Sequence, residues 1–250
     1  MQSPKVSIIL PVYKNRDTLQ GLYSQLSNIL ESEIEFVFVD DACPENSLEF
    51  LKELVAIDDR ITVIGLANNL GQQNAVLVGL RYAQGEIAII MDADLQDPPK
   101  AIPKLLAKLS ENYDVVFAGR RGKYQIGHRL LTSRLYKWSL HFLLGLPTDA
   151  GLFMALRRDV INQLIAMSVK NPHLVAMIGV LKIRSISIPT ERSQRPTGIS
   201  AYTSWMRLKI GVRTAFWALF WRLGIGRKKT SSSIFELPTE SIHKSKYMQH

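Results

Sequence analysis

Ile87-Ala88-Ile89-Ile90-Met91-Asp92-Ala93-Asp94-Leu95-Gln96-Asp97-Pro98-Pro99 is the stretch whose reading decides the fold. Its unbroken apolar opening suits a strand buried on both faces, as in parallel sheets, and the acidic run and Pro98-Pro99 end it abruptly. Working outward, the residues ahead of it repeat the pattern. Val6–Leu10, Glu35–Val39 and Ile61–Leu66 read as strands, the first closed by Pro11. Between them, Asp17–Leu30, Ser47–Ile57 and Gln72–Ala83 carry helical spacing, with Leu19, Leu22 and Leu26 on one face of the first. Strands alternating with helices predict an α/β fold with a mostly parallel central sheet flanked by helices. Ligands of such sheets bind beyond the carboxyl ends of the strands, where this sequence carries Asp40-Asp41 and Asp92/Asp94.

Beyond Pro99 the order changes. A helix from Pro98 to about Leu109 precedes a strand at Asp114–Ala118, a long aromatic helix at Arg129–Leu144 and a strand at Leu152–Leu156. The alternation of Lys182–Ile188 predicts an added or edge strand, and Tyr202–Leu223 reads as a basic, aromatic, amphipathic helix. The expected organisation is an α/β domain over 1–200, a basic aromatic segment over 201–229 and a disordered polar tail over 230–250.

With 46% hydrophobic residues among 250, the chain is no disordered protein, and its single cysteine, Cys43, excludes a disulfide scaffold or a cysteine-rich zinc site. No run reaches the roughly 18 apolar residues of a membrane span, and the N-terminus passes directly into a strand, so the expected location is cytoplasmic. The net charge of +9 is concentrated. From Arg192 to Phe235 there are nine basic residues and no acidic one, together with Trp205, Trp217, Trp221, Phe216 and Phe220. Aromatics beside cations at helical spacing favour an anionic membrane surface as the partner over nucleic acid. On a helical wheel Trp205, Leu208, Val212, Phe216, Leu219 and Leu223 share a face, with Trp217 and Trp221 on a flank suited to headgroup depth.

After the first strand the chain reads Pro11-Val12-Tyr13-Lys14-Asn15-Arg16, which lacks the G-x-G-x-x-G of a dinucleotide fold, and no P-loop motif occurs. The acidic stretch offers another route. Asp92 and Asp94 at the end of a buried strand can turn toward one divalent cation, Mg²⁺ or Mn²⁺, which takes carboxylate and phosphate oxygens together and neutralises a departing diphosphate. A solvated acidic loop is the plain alternative for the tripeptide alone. His128, His141 and His173 show no ligand spacing and read as ordinary core or surface residues.

Four motifs, taken jointly, narrow the reading. Phe38-Val39-Asp40-Asp41-Ala42-Cys43-Pro44-Glu45-Asn46-Ser47, Asn69-Leu70-Gly71-Gln72-Gln73-Asn74-Ala75, Gly79-Leu80-x-x-Ala83-x-Gly85 and Met91–Pro99 occur in the order seen in family 2 glycosyltransferases. The chain resembles most the branch of dolichyl-phosphate mannose synthase and its bacterial polyprenyl-phosphate relatives, over roughly residues 5–210. That resemblance implies a GT-A-type fold, a nucleotide-diphosphate sugar as donor, divalent-metal dependence, inversion at the anomeric carbon and a lipid-linked acceptor. By the same resemblance, Pro11, Tyr13, Asp40, Asp41, Gln72, Asp92 and Ser200 bind the nucleotide sugar. Asp92, Asp94 and Gln96 hold the metal and diphosphate. Arg120 meets phosphate, Asp149 lies on the acceptor side, and Arg195-x-x-Gly198-x-Ser200-x-Tyr202 resembles the family's R-x-x-G-x-S-K-Y element, with Ala201 where the lysine stands.

The expected enzyme is a peripheral, membrane-associated glycosyltransferase with a polyprenyl-phosphate-type acceptor. Two rivals stand beside it: transfer to a sugar hydroxyl of a lipid-linked glycan or exopolysaccharide, which Ala201 favours, and a non-catalytic nucleotide-sugar-binding protein. A phosphate acceptor is already anionic and needs little help from a base, whereas a hydroxyl needs a carboxylate such as Asp149. Donor base, sugar and oligomeric state are not fixed by the sequence.

Overall fold

The computed structural model describes residues 5–29, 33–121, 141–167, 169, 171–191, 213, 216–217, 219–221 and 239–244. Strands β1 (Val6–Val12), β2 (Ile34–Asp40), β3 (Ile61–Leu66) and β4 (Ile87–Ile90) alternate with helices α1 (Arg16–Ile29), α2 (Ser47–Ile57) and α3 (Gln72–Tyr82). A short 3₁₀ turn at Pro99–Ala101 leads into α4 (Ile102–Ser110), then β5 (Val115–Arg121), β6 (Met154–Arg157), α5 (Arg158–Ala166), α6 (Leu174–Val180), β7 (Ser185–Glu191) and β8 (Thr239–Lys244). The strands form one eight-stranded sheet in the order β7-β5-β6-β4-β1-β2-β3-β8. Only β6 and β8 run against the rest, so the expected mostly parallel α/β sheet is present.

Each face of the central strands β1–β4 is buried, which is why they are apolar at most positions. On one side Ile8, Leu10, Phe36 and Phe38 meet Leu19, Leu22 and Leu26 of α1, Leu51 and Leu54 of α2, and Leu105 and Leu109 of α4. On the other, Ile9, Val37, Val39 and Phe117 meet Ala75, Val76 and Leu80 of α3, Ile161 and Leu164 of α5, and α6. Gly79 has a physical role in this packing: a Cβ there would lie 2.5 Å from Ile9 Cγ2, so only glycine lets α3 sit this close to β1. Gly85 likewise leaves no room, its would-be Cβ falling 2.7 Å from Ser7 Oγ. Around it Ser7 Oγ donates to Glu35 Oε1, and the Gln84 and Gly85 N–H groups complete a buried network at the amino end of the sheet, remote from the acid pairs.

Three sequence expectations change. β1 does not stop at Pro11 but runs to Val12. Met91 N donates to Ile9 O, so Ile9 and, two residues on, Pro11 turn their amide positions toward β4, whose pairing has already ended at Ile90; the proline's missing donor costs no ladder bond. The tail is not wholly unstructured, because Thr239–Lys244 form β8 along the open edge of β3. Pairing supplies backbone partners to a segment in which Ile242 alone is apolar and which therefore gave no strand signal. Of the Tyr202–Leu223 helix, the described residues 213, 216, 217 and 219–221 are helical and the rest lie outside the described residues, as does most of Arg129–Leu144. Trp217 and Trp221 face inward: their rings, tilted by 36° with centroids 5.5 Å apart, are partly buried against the core, while Phe216, Leu219 and Phe220 are exposed.

α5 and α6 were not expected from the sequence. His173 caps α6, its Nδ1 accepting from Ala176 N at 3.4 Å. Burial pushes its pKa down to about 4, with the Arg213 charge acting in the same direction. An unfolded histidine takes up its proton near pH 6.5, so the unfolded chain binds that proton more readily than the native one between pH 6.5 and 4. Stability is therefore expected to fall as pH drops through that window, by about 3 kcal/mol at most. Urea unfolding of His173→Asn, which keeps a capping oxygen, should show a shallower loss; parallel profiles for variant and wild type would sink the assignment.

Candidate active site

The topology selects one end of the sheet. From β1 the chain winds outward through β2 and β3, then returns to the other side of β1 as β4. The reversal opens a crevice between the carboxyl ends of β1 and β4. Asp40 ends β2 beside it. β6 runs the opposite way, its first residue Met154 pairing with both Ile90 and Phe117, so the segment leading into β6, including Asp149, rises from the same end of the sheet. Backbone strain gathers there too: Lys14 (φ 57°), Ala42 (φ 51°), Asn46 (φ 57°) and Leu95 (φ 59°) all hold left-handed conformations in the loops after β1, β2 and β4. Each costs on the order of 1 kcal/mol or more, and such residues cluster where loops present ligand groups.

The loop after β4 is held from both sides. Thr18 Oγ1, in the first turn of α1, donates to Ala93 O at 2.6 Å, and Leu95 lies against Gly21. Asp97 is buried and its Oδ2 accepts from Asp92 N at 3.3 Å. Asp94 is 5% exposed, its Oδ1 accepting from Gln96 N at 3.1 Å. Gln72, the first residue of α3, donates from Nε2 to Asp92 Oδ1 at 2.6 Å, so it grips the acid loop. Asp92 and Asp94 are the carboxylates that could take a hard cation. No group of three or more His, Cys, Asp or Glu side chains is arranged for a metal among the described residues. A cation here would complete its shell with ligand phosphates and water, the usual habit of Mg²⁺, so the donor set fits a metal that arrives with a phosphorylated ligand.

Asp40 and Asp41 divide their work. Asp41 accepts from Leu70 N at 2.7 Å through Oδ1 and from Gly71 N at 2.9 Å through Oδ2. Both oxygens thus tie the loop before α3, which needs Gly71 at φ 84°, and the geometry makes Asp41 a fastener of that loop. Asp40 Oδ1 accepts from Cys43 N at 3.0 Å, while its buried Oδ2 has no partner among the described residues. Burial pushes the Asp40 carboxyl above its usual range, the Cys43 N–H opposing and the Asp41 charge adding; burial raises Asp41 likewise, against its two backbone donors. A buried, unmet acceptor at a strand end is prepared for a ligand N–H or O–H. Cys43 Sγ accepts from Lys14 N and Ser47 Oγ, at 3.1 and 3.0 Å, joining the loops after β1 and β2. Pro11 is buried in β1, and Tyr13, 41% exposed, stands at the rim with Lys14 Nζ over its ring.

Across the crevice, Asp149 lies over β5. A Cβ on Gly119 would overlap Asp149 Oδ2 and crowd Ser187 Oγ of β7, so glycine is what allows the carboxylate to rest on that strand. Arg120 follows Gly119 in β5, at the same sheet end. Arg195 and Ser200 lie outside the described residues. The structure thus gathers Pro11, Tyr13, Asp40, Asp41, Gln72, Asp92, Asp94, Gln96, Arg120 and Asp149 around one end of the sheet. Sequence reasoning passed over Thr18, Asp97 and Gly119. Only Asp97 stood in a quoted motif; the other two act through contacts between distant segments.

The sequence model of Glycosyl transferase family 2 matches residues 7–222. The chain belongs to that family. Among its relatives, an uncharacterized glycosyltransferase of Bacillus subtilis, YkcC, is 29% identical over 212 residues, covering 82% of this chain and 66% of its own length. The undecaprenyl-phosphate 4-deoxy-4-formamido-L-arabinose transferase of Proteus mirabilis is 32% identical over 205 residues, 80% of this chain and 63% of that protein. The chain therefore spans about two thirds of the length of these two relatives. In fold it is similar to glucosyl-3-phosphoglycerate synthase from Mycobacterium tuberculosis, solved with Mn²⁺, UDP and phosphoglyceric acid, with a TM-score of 0.64 at 18% identity over 96% of this chain and 86% of that one. The likeness is one of architecture, and it agrees with the GT-A-type fold expected for family 2.

Proposed function

We propose that this chain is a metal-dependent, inverting glycosyltransferase that moves a sugar from a nucleotide-diphosphate donor to a polyprenyl-phosphate-type lipid acceptor, working peripherally on the cytoplasmic face of the cell membrane. The observation that carries the reading is the 32% identity with a transferase named for an undecaprenyl-phosphate acceptor. Mn²⁺ in a structural neighbour supports a divalent cation, Mg²⁺ or Mn²⁺, as cofactor.

In this reading the unmet Oδ2 of Asp40 takes a donor group of the base or ribose, with Tyr13 and Pro11 at the nucleotide's edge. Asp92 and Asp94 hold the cation beside the diphosphate, Gln72 fixes Asp92, and Gln96 shapes the loop through its N–H to Asp94. The cation supplies charge neutralisation for the leaving diphosphate. Arg120, and Arg195 by family resemblance, add positive charge where negative charge grows as the anomeric carbon–oxygen bond breaks. The acceptor oxygen attacks from the opposite face, forming the new glycosidic bond with inversion. An acceptor phosphate is already an anion, so Asp149 orients it rather than removing a proton.

A second reading, transfer to a sugar hydroxyl, is favoured by Ala201 in place of the lysine, and in that reading the Asp149 carboxylate, which rests over Gly119, serves as the base. Incubation with a panel of nucleotide sugars and Mn²⁺, with and without undecaprenyl phosphate, tests the proposal. Sugar transfer that depends on the lipid phosphate is expected; donor turnover indifferent to it would move the assignment to a hydroxyl acceptor.

No helix among the described residues is long and apolar enough to cross a membrane. Phe216, Leu219 and Phe220 nevertheless expose 57, 43 and 47% of their surface within the segment that carries the nine basic residues. Each cation near an anionic surface adds on the order of 1 kcal/mol. The protein is expected to co-sediment with anionic liposomes, weakly with neutral ones, and to be released in part by high salt. The variant Phe216→Ser/Phe220→Ser should lose most of this binding while keeping β8, which a truncation would remove; undiminished co-sedimentation would leave the helix as core packing alone.

A further inference from the structure

The first turn of α3 carries two consecutive glutamines that reach in different directions. Gln72 Nε2 donates to Asp92 Oδ1 at 2.6 Å, whereas Gln73 Oε1 accepts from Leu174 N at 2.8 Å, across 101 residues of sequence. Neighbouring positions on a helix point about 100° apart, so one turn can address two elements at once. Leu174 opens α6 and is fully buried. The N–H groups of a helix's first turn have no acceptor within the helix, and Gln73 supplies one from outside. The bond serves both partners. Asp41 ties the chain entering α3 at Leu70 N and Gly71 N, and Gly71 then turns the backbone through φ 84°. Beyond that glycine, the bond from Leu174 N fastens the turn to a buried helix, while Gln72, exposed to solvent, reaches over to the acid loop.

We propose that Gln73 is a positioning residue for the cation loop: by anchoring the first turn of α3 on α6 it fixes where Gln72 stands, and Gln72 in turn fixes the carboxylate of Asp92. The inference rests on the reading of Asp92 and Asp94 as cation ligands and adds to it a third element, α6, that carries none of the residues gathered at the site. The side-chain oxygen of Gln73 is engaged by Leu174 N, so Gln73 acts through its neighbour and not on the cation. Groups that orient a metal ligand from outside commonly change metal affinity by about 10–100-fold; a residue one step further out should have a smaller effect of the same kind.

Titration of the full chain with Mn²⁺ in the presence of each common nucleoside diphosphate, read by the electron paramagnetic resonance of the free ion, tests the assignment. Gln73→Met keeps the length of the side chain and removes the acceptor, so the Mn²⁺ dissociation constant should rise about fivefold. Gln73→Glu, which keeps an acceptor oxygen at the same reach, should restore it, and only while Gln72 is present, which separates the acceptor from the added charge. Gln72→Ala should cost about tenfold, with nothing further lost on adding Gln73→Met, because the two act in series. Val175→Ala opens a gap at a buried position of α6 and leaves the bond in place; it should lower stability to urea with Mn²⁺ affinity unchanged. A wild-type Mn²⁺ response of Gln73→Met, additive effects of the two glutamines, or an equal loss in Val175→Ala would overturn the proposal. Wild-type protein offers a check that needs no variant. Coupling is reciprocal, so saturation with Mn²⁺ and nucleotide should slow hydrogen exchange of the Leu174 amide about fivefold, and unchanged exchange there would overturn it too. If wild type binds no Mn²⁺ with any nucleotide, the reading of Asp92 and Asp94 fails. Exchange then judges the link by itself: Gln73→Met must speed exchange at residues 92–96 as well as at Leu174, and a change confined to α6 overturns it.

Discussion

Asp94→Asn is expected to abolish most cation-dependent turnover, a loss of several kcal/mol in transition-state stabilisation, on the order of a thousandfold in rate. The substitution is isosteric. The amide that replaces the carboxylate would keep an oxygen to accept from Gln96 N, the contact Asp94 makes at 3.1 Å, so the loop should hold its shape while one negative ligand is lost. The nucleotide without metal should bind both proteins alike, and titration with Mn²⁺ should separate them. Full activity of wild type in EDTA, or a wild-type response of the variant to Mn²⁺, would falsify the role of the acid pair.

Asp149→Asn should divide the acceptor classes by the size of its effect. With a sugar hydroxyl as acceptor, removal of a positioned base costs about 10²–10⁴-fold, and the pH profile of kcat should lose its carboxylate limb. With a lipid phosphate the loss should stay near tenfold and vary little with pH. Gly119→Ala provides a second route to the same site, because its Cβ would overlap Asp149 Oδ2 and displace a carboxylate that is otherwise intact. Gly119→Ala and Asp149→Asn should therefore resemble each other in kcat and leave donor binding alone; a Gly119→Ala enzyme with normal turnover would show that Asp149 need not rest on β5.

The sequence was most legible where one segment decides its own fate. Ile87–Ile90 had to be a doubly covered strand because no polar residue interrupts it, and Asp40 and the Asp92–Asp97 run then had to sit at a sheet end. Legibility failed where partners come from afar. Leu174–Val180 is buried at every position, so it lacks the polar face that announces a helix. Pro11 looked like a strand stop because nothing in its neighbours tells that the ladder to β4 ends two residues earlier, at Ile9 and Ile90. The paired acids at 40 and 41 look alike in one dimension, yet in three Asp41 spends both oxygens on Leu70 and Gly71 while Asp40 keeps one unmet among the described residues. Gly119 carried no signal, since its meaning depends on a turn that reaches it from another strand.

The placement of β8 also bears on how the molecule comes into being. β3 is complete once the first quarter or so of the chain has folded, but the strand that covers its outer edge, Thr239–Lys244, is the last described element to leave the ribosome. Until then β3 presents a row of unsatisfied amides and carbonyls to whatever is nearby, including the β3 of another nascent copy. Between the synthesis of β3 and that of β8, chaperone protection of this one sheet edge is therefore expected to raise the yield of folded protein.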